Sequence, residues 1–220
     1  AVPLAAACYR LVPDDYSRTD EKLGDQLSTI SRTLRRPGIA KALLVNSALA
    51  AASFGVVLTA LPLYLDAELN AGPVERGGFL ALSSLGGVAA GLGTGRLRKV
   101  LNVRWTLTAS AGTMAISTLA TGLSTVPLLL AVALFSFGIA SGLTNPAIQD
   151  FISSALGPTE RAAGLSAWVS TMRLGQAIGP LVVGLLLQPF ETSTVIVIGA
   201  AALGLLALVV SLGAVTGEKA

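Results

Sequence analysis

Six long apolar stretches fill the chain from residue 39 onward, at 39–65, 74–95, 102–124, 126–148, 164–187 and 192–214. Each is long enough to cross about 30 Å of hydrocarbon, which takes about 20 helical residues. The expected fold is all-α: a polytopic membrane protein whose 39–214 region is a bundle of six transmembrane helices. Proline and glycine inside these stretches are acceptable, because neighbouring helices re-satisfy the backbone groups they free. Ahead of the bundle lies one long polar segment, 10–38, which mixes both charge signs and closes on Arg35, Arg36, Pro37 and Gly38. Within it Leu23, Leu27, Ile30 and Leu34 recur at three- and four-residue steps, predicting a short amphipathic helix over 21–34. A shorter apolar stretch, 1–9, is stopped by Arg10. Its positive charge follows the apolar residues, whereas a signal peptide places it before them. This stretch reads as the end of a preceding transmembrane helix, and 215–220 as a tail.

Charge then orients the bundle. The linker carries Arg10, Arg18, Lys22, Arg32, Arg35 and Arg36, and the second connection carries Arg96, Arg98, Lys99 and Arg104 without an acid. The first connection is acidic instead, with Asp66, Glu68 and Glu75 against Arg76, and the third is uncharged. Basic residues in alternate connections place those connections in the cytoplasm. The expectation is a multi-pass protein of the cell membrane with both ends cytoplasmic.

Composition agrees and removes other classes. The chain is 53% hydrophobic and 12% charged, about half the charged fraction of soluble domains. Its mean hydropathy is +0.74. The net charge of +3 lies beside apolar segments, so it reads as a topology signal and not as a nucleic-acid footprint. With Cys8 as the one cysteine and no histidine, a disulfide within the chain is impossible, and a Cys/His metal site would have a single ligand to draw on. No cofactor motif is present, and no catalytic pair suggests an enzyme: there is no phosphate-binding glycine loop ending in Lys-Ser/Thr and no HExxH.

Three stretches carry the candidate chemistry. In the second helix Gly87, Gly91 and Gly95 stand at four-residue steps, a smooth face for a close partner, followed at once by Arg96, Arg98 and Lys99. In the fifth, Gly175, Gly179 and Pro180 lie beside a polar stripe of Ser166, Ser170, Arg173 and Gln176. A charge inside a membrane span is costly and points to function by default. The competing reading puts Arg173 at the inner boundary, snorkelling to water, because residues 174–190 are just long enough to span without it. In the fourth helix Gly138, Ser141, Gly142 and Asn145 share one side, followed by Pro146. Asn145 either bonds another helix or faces a polar cavity. Asn46 and Thr59 are isolated polar positions in the first helix.

Together the charged linker, the basic loop GTGRLRK, the proline-bearing SGLTNPAIQ and the segment PTERAAGLSAWVSTMRLGQAIGP resemble the carboxyl-terminal six-helix half of the major facilitator superfamily, among its efflux-type relatives. The superfamily's basic loop usually has an acid before its arginine. Gly95 stands there in this chain, so the charge-relay role of that acid has no counterpart. The resemblance implies a secondary transporter that rocks between inward- and outward-open states around a site enclosed by two six-helix bundles. Its implied partners are the lipid bilayer, an amino-terminal six-helix half and a small-molecule substrate, with proton coupling one option. It makes Arg173, Gln176, Asn145 and Asn46 cavity residues, and Arg96, Arg98 and Lys99 a conformational-switch loop. Few amides and aromatics are available to bond sugar hydroxyls, which favours efflux of small amphipathic compounds. The alternative is a non-transporting half-transporter, or a scaffold that dimerises through its glycine faces. Either way, no carboxylate lies in the interior of the six predicted spans; Glu75 stands at the edge of the second.

Overall fold

The structure, a computed structural model, describes residue 31 and residues 36–97 and 102–212. Six helices run through the described residues: α1 (Pro37–Leu69), α2 (Pro73–Leu97), α3 (Val103–Leu123), α4 (Pro127–Ala155), α5 (Pro158–Leu186) and α6 (Thr192–Ser211). The expected 1–9 helix end, the 21–34 surface helix, the 215–220 tail, Arg98 and Lys99 lie outside the described residues.

Successive helices run up and down, so their ends fall into two groups. At one end the Tyr64 hydroxyl of α1 donates to the Ser124 carbonyl in the α3–α4 connection at 3.0 Å. At the other, the Arg36 guanidinium grips the Glu160 carboxylate at 2.8 and 3.1 Å and reaches the Ala155 carbonyl. There Arg104 at the start of α3 also donates to the Ser211 carbonyl at the end of α6, satisfying a carbonyl that a helix terminus leaves without a partner. The acidic first connection and the uncharged third thus share one face. Arg36, Glu160 and Arg104 occupy the opposite one.

The core lies among α1, α3, α4 and α6, whose largest fully buried side chains include Leu61, Leu107, Leu130, Ile148 and Ile196. Helix α2 lies along α4, and α5 along α1, as outer flanks. Both flanks approach their partners through glycine. A Cβ at Gly138 would strike the Ser83 carbonyl, and one at Gly86 the Phe135 carbonyl. On the other flank, Gly175 and Gly179 face the carbonyls of Ser47 and Ala51 just as closely. Small residues let helix backbones meet in lipid, where packing, not water, drives association.

Five helices are long and apolar enough to cross a membrane; α3 is the sixth of the bundle and falls outside that group. Its hydroxyls lower its apolarity, yet Thr106, Ser110, Ser117, Thr118 and Thr121 are all buried in the bundle. Two of them are satisfied within α3 and its cap: Thr106 donates to the Asn102 carbonyl and Thr121 to the Ser117 carbonyl. Such back-bonding keeps those two hydroxyls satisfied in an apolar bundle, whereas the Ser110 and Thr118 hydroxyls have no partner among the described residues.

The helices also outrun the predicted stretches. α4 continues to Ala155 and α5 begins at Pro158, where the expectation had a gap from 149 to 163. Apolarity marks the part in lipid, whereas helical hydrogen bonding continues past the lipid boundary. Pro158 suits a first helical position, and Glu160 stabilises the first turn through the helix dipole. At the opposite face α1 ends at Asn70, in the left-handed region at φ 50°, a conformation asparagine tolerates.

One feature of α1 has no sequence precursor. Residues Ser53–Ala60 are π-helical, with the Leu61 N–H reaching back to the Val56 carbonyl. The Thr59 hydroxyl follows the same wide register, donating to the Phe54 carbonyl at 3.2 Å. Pro62 follows at once and cannot donate to the preceding turn. Such widened turns recur at functional sites.

Candidate functional site

The π-helical segment begins at the wall of a cavity of about 220 Å³ formed between α1, α3, α4 and α5. Asn46, Ser53 and Phe54 come from α1, Met114 from α3, Asn145 from α4, and Met172 and Gln176 from α5. Three of the four predicted cavity residues, Asn46, Asn145 and Gln176, are therefore brought together. The fourth, Arg173, stands one turn from Gln176 and donates from Nη1 to its Oε1 at 2.9 Å.

Asn46 is 2% exposed. Its Nδ2 donates to the Trp168 carbonyl at 3.1 Å and to the Thr171 hydroxyl at 3.4 Å. It ties α1 to α5 while lining the cavity. Asn145 is exposed and Gln176 half-buried. Because Arg173 takes the Gln176 amide oxygen, that side chain's NH₂ remains as its free donor. The cavity hydroxyls behave differently: Ser53, Ser141 and Thr144 donate back to Leu49, Gly138 and Ala140 of their own helices. They offer lone pairs and not protons.

Two prolines add acceptors. Pro146 inside α4 and Pro180 inside α5 have no N–H, so the carbonyls four residues earlier lose their usual donor. Those carbonyls belong to Gly142 and Gln176, both of which line the cavity. Each proline thus frees a backbone acceptor at the cavity wall. Among the described lining residues none is charged.

Arg173 is exposed on α5. From Arg173 the α-helix continues only to Leu186, about 20 Å at 1.5 Å per residue, well short of about 30 Å of hydrocarbon. The segment 174–190 that would span without it turns after Leu186 and is not a single helix.

The predicted glycines divide. Gly175 and Gly179 carry the α1–α5 crossing, and Gly55 meets the Gly179 carbonyl where a Cβ would stand 2.8 Å away. A Cβ on Gly87 would make only ordinary contact with α4, but the Gly87 backbone lies against Gly142, whose Cβ would stand 2.8 Å from the Gly87 carbonyl; Gly91 and Gly95 have open space where a Cβ would project. The close α2–α4 contact is shared by the predicted Gly87 and its neighbour Gly86. Arg96 belongs to α2, and no contact of the basic loop is described. Thr59 faces its own backbone and not the cavity.

The sequence reading also passed over Ser53, Phe54, Met114 and Met172. The signal available was compositional: the chain has two methionines, and both line this cavity.

The family model of the Major Facilitator Superfamily matches residues 43–219. This chain belongs to the major facilitator superfamily. Its match begins inside α1 and runs past the end of α6, so it covers the six-helix bundle and every cavity residue named above. No curated protein matches the chain. Members of the superfamily are transporters and not enzymes, and this membrane-spanning helical chain carries the superfamily's transporter domain.

Proposed function

We propose that this chain serves secondary active transport by alternating access, exporting small amphipathic compounds from the cell, with the α1/α3/α4/α5 cavity as its solute site. The observation that carries the reading is the makeup of the wall. Phe54, Met114 and Met172 supply an apolar, adaptable surface beside the amides of Asn46, Asn145 and Gln176. Methionine conforms to varied apolar shapes and is favoured at promiscuous binding surfaces, and a few placed polar groups then orient the solute.

At about 220 Å³ the cavity is smaller than the roughly 300–1,000 Å³ of a complete ligand site. A second six-helix bundle facing it supplies the rest. The flanks α2 and α5 suit that contact: 17% of the apolar span of each is buried, against 44% for α1. The open Gly91 and Gly95 lie on the α2 flank, and the basic residues Arg96, Arg98 and Lys99 follow them at the cytoplasmic surface, where the two bundles slide past each other during the switch.

The test is transport by the full-length protein in proteoliposomes under an imposed proton gradient, using a fluorescent amphipathic dye. Gradient-dependent dye movement that Ser141→Phe abolishes supports the reading. Dye movement that ignores both the gradient and a blocked cavity contradicts it.

A further inference from the structure

We infer that the cavity selects solutes bearing a negative charge, with Arg173 as the residue that reads it. This rests on the transport reading above and names the substrate class of the same site.

A charge carried on a membrane-crossing helix is costly unless a partner, a polar cavity or a solute compensates it. The two ion pairs among the described residues, Arg36–Glu160 and Asp66–Arg76, do not involve Arg173. Its described hydrogen bond goes to the neutral Gln176 amide. A guanidinium carries five N–H donors in a planar fork, so among the described residues most of its donor capacity is uncommitted.

The second step is direction. Arg173 is exposed and is not itself a lining residue, but its Nη1 lies 2.9 Å from the Oε1 of Gln176, which is one. By occupying the amide oxygen, Arg173 turns the Gln176 NH₂ into a donor beside its own. These two side chains form a donor cluster with one positive charge, and no lining residue carries a negative one. Planar, bidentate pairing with a carboxylate or sulfonate is what a guanidinium does best.

The third step is the remainder of the wall. Phe54, Met114 and Met172 give an apolar body its surface, whereas the hydroxyls spend their protons on their own helices. An organic cation would meet acceptors but also an uncompensated positive charge. An amphipathic anion places its head at Arg173 and Gln176 and its body on the methionines.

The experiment uses three probes with one aromatic body: 1-naphthoate, 1-naphthamide and 1-naphthylmethylammonium. Binding is measured by equilibrium dialysis on the full-length protein in nanodiscs, with empty nanodiscs subtracted, followed by uptake in proteoliposomes. Wild-type protein should bind naphthoate about tenfold tighter than naphthamide, the difference between charge-assisted and neutral hydrogen bonds. Naphthylmethylammonium should bind weakest. R173Q should bring the naphthoate-to-naphthamide ratio close to one, and R173K should keep a preference for the anion. An unchanged ratio in R173Q, or tightest binding of the ammonium probe, overturns the inference while leaving transport intact. So does loss of all three probes from R173Q while it is retained in R173K, if the thermal unfolding of R173Q is normal, because Arg173 then serves a partner carboxylate and not the solute. Binding and uptake of none of the probes by wild-type protein overturns the transport reading itself.

Discussion

Asn46 of α1 donates to the Trp168 carbonyl of α5 at 3.1 Å, so one buried amide both ties the flanking helix to the core and lines the cavity. The two roles follow from geometry: the NH₂ group is spent on α5, which leaves the amide oxygen as its remaining polar atom.

That arrangement predicts an order of stability. Asn46→Ala loses an interhelical bond of the kind that contributes about 0.6 kcal/mol on average in membrane bundles. Asn46→Asp should be worse, because an ionised carboxylate has no proton to donate and would face the Trp168 carbonyl. Thermal unfolding of the purified full-length protein checks the ranking wild type, then Ala, then Asp. Equal midpoints for the two variants would contradict it.

The glycines separate by what a Cβ would meet. Gly138→Ala drives a methyl into the Ser83 carbonyl, and overpacking of this kind costs about 1–3 kcal/mol. Gly184 is exposed with nothing near its Cβ position, so Gly184→Ala should gain slightly from better helix propensity. Thermal unfolding of the two variants side by side decides this, and a similar loss in both would refute the close-approach account.

In the Arg36–Glu160 pair one nitrogen, Nη2, donates to both carboxylate oxygens, and the pair is partly open to solvent, with 47% and 20% of the two side chains exposed. An exposed pair contributes about 0–1 kcal/mol and is screened by salt. Arg36→Ala should therefore lower the unfolding midpoint only slightly, by an amount that shrinks between low and high ionic strength. A large loss that salt does not alter would mean the pair is structural in some other way.

Much of the fold was legible because lipid demands it. Stretches such as 192–214 cannot be anything but membrane helices, and α6 occupies Thr192–Ser211. The cavity residues Asn46, Asn145 and Gln176 were legible for the complementary reason, that an amide in an apolar span must bond a neighbour or line a polar space. What escaped was set by register and contact. Gly86 and Gly87 are adjacent glycines, and α4 uses both: a Cβ at Gly86 would strike the Phe135 carbonyl, and the Gly87 backbone lies against Gly142. The π-helical turn at Ser53–Ala60 lies between the Gly55–Gly179 contact and Pro62, and neither feature alone predicts a widened turn. Met114 and Met172 lie 58 residues apart on α3 and α5, and only the packing of those helices brings them to one cavity. The chain ends of α4 and α5 were missed because polar residues such as Glu160 and Arg161 continue a helix that has already left the hydrocarbon.

Filling the cavity should separate transport from folding. Ser141 is half-buried on its wall, so Ser141→Phe places a ring in the solute space. Transport in proteoliposomes should be lost while the unfolding midpoint moves by about 1 kcal/mol or less, the scale of a substitution with room to adjust. Preserved transport would mean that solute takes another route.

The central claim is that this cavity opens alternately to the two sides of the membrane. Cys8 is the one cysteine in the chain, so Cys8→Ser with Asn145→Cys puts a single thiol from the chain on the cavity wall. Labelling of that thiol by a membrane-impermeant maleimide should proceed from either face of oriented vesicles, and transported compound should slow both reactions. Labelling from one face only, or rates indifferent to the compound, would contradict alternating access at this site.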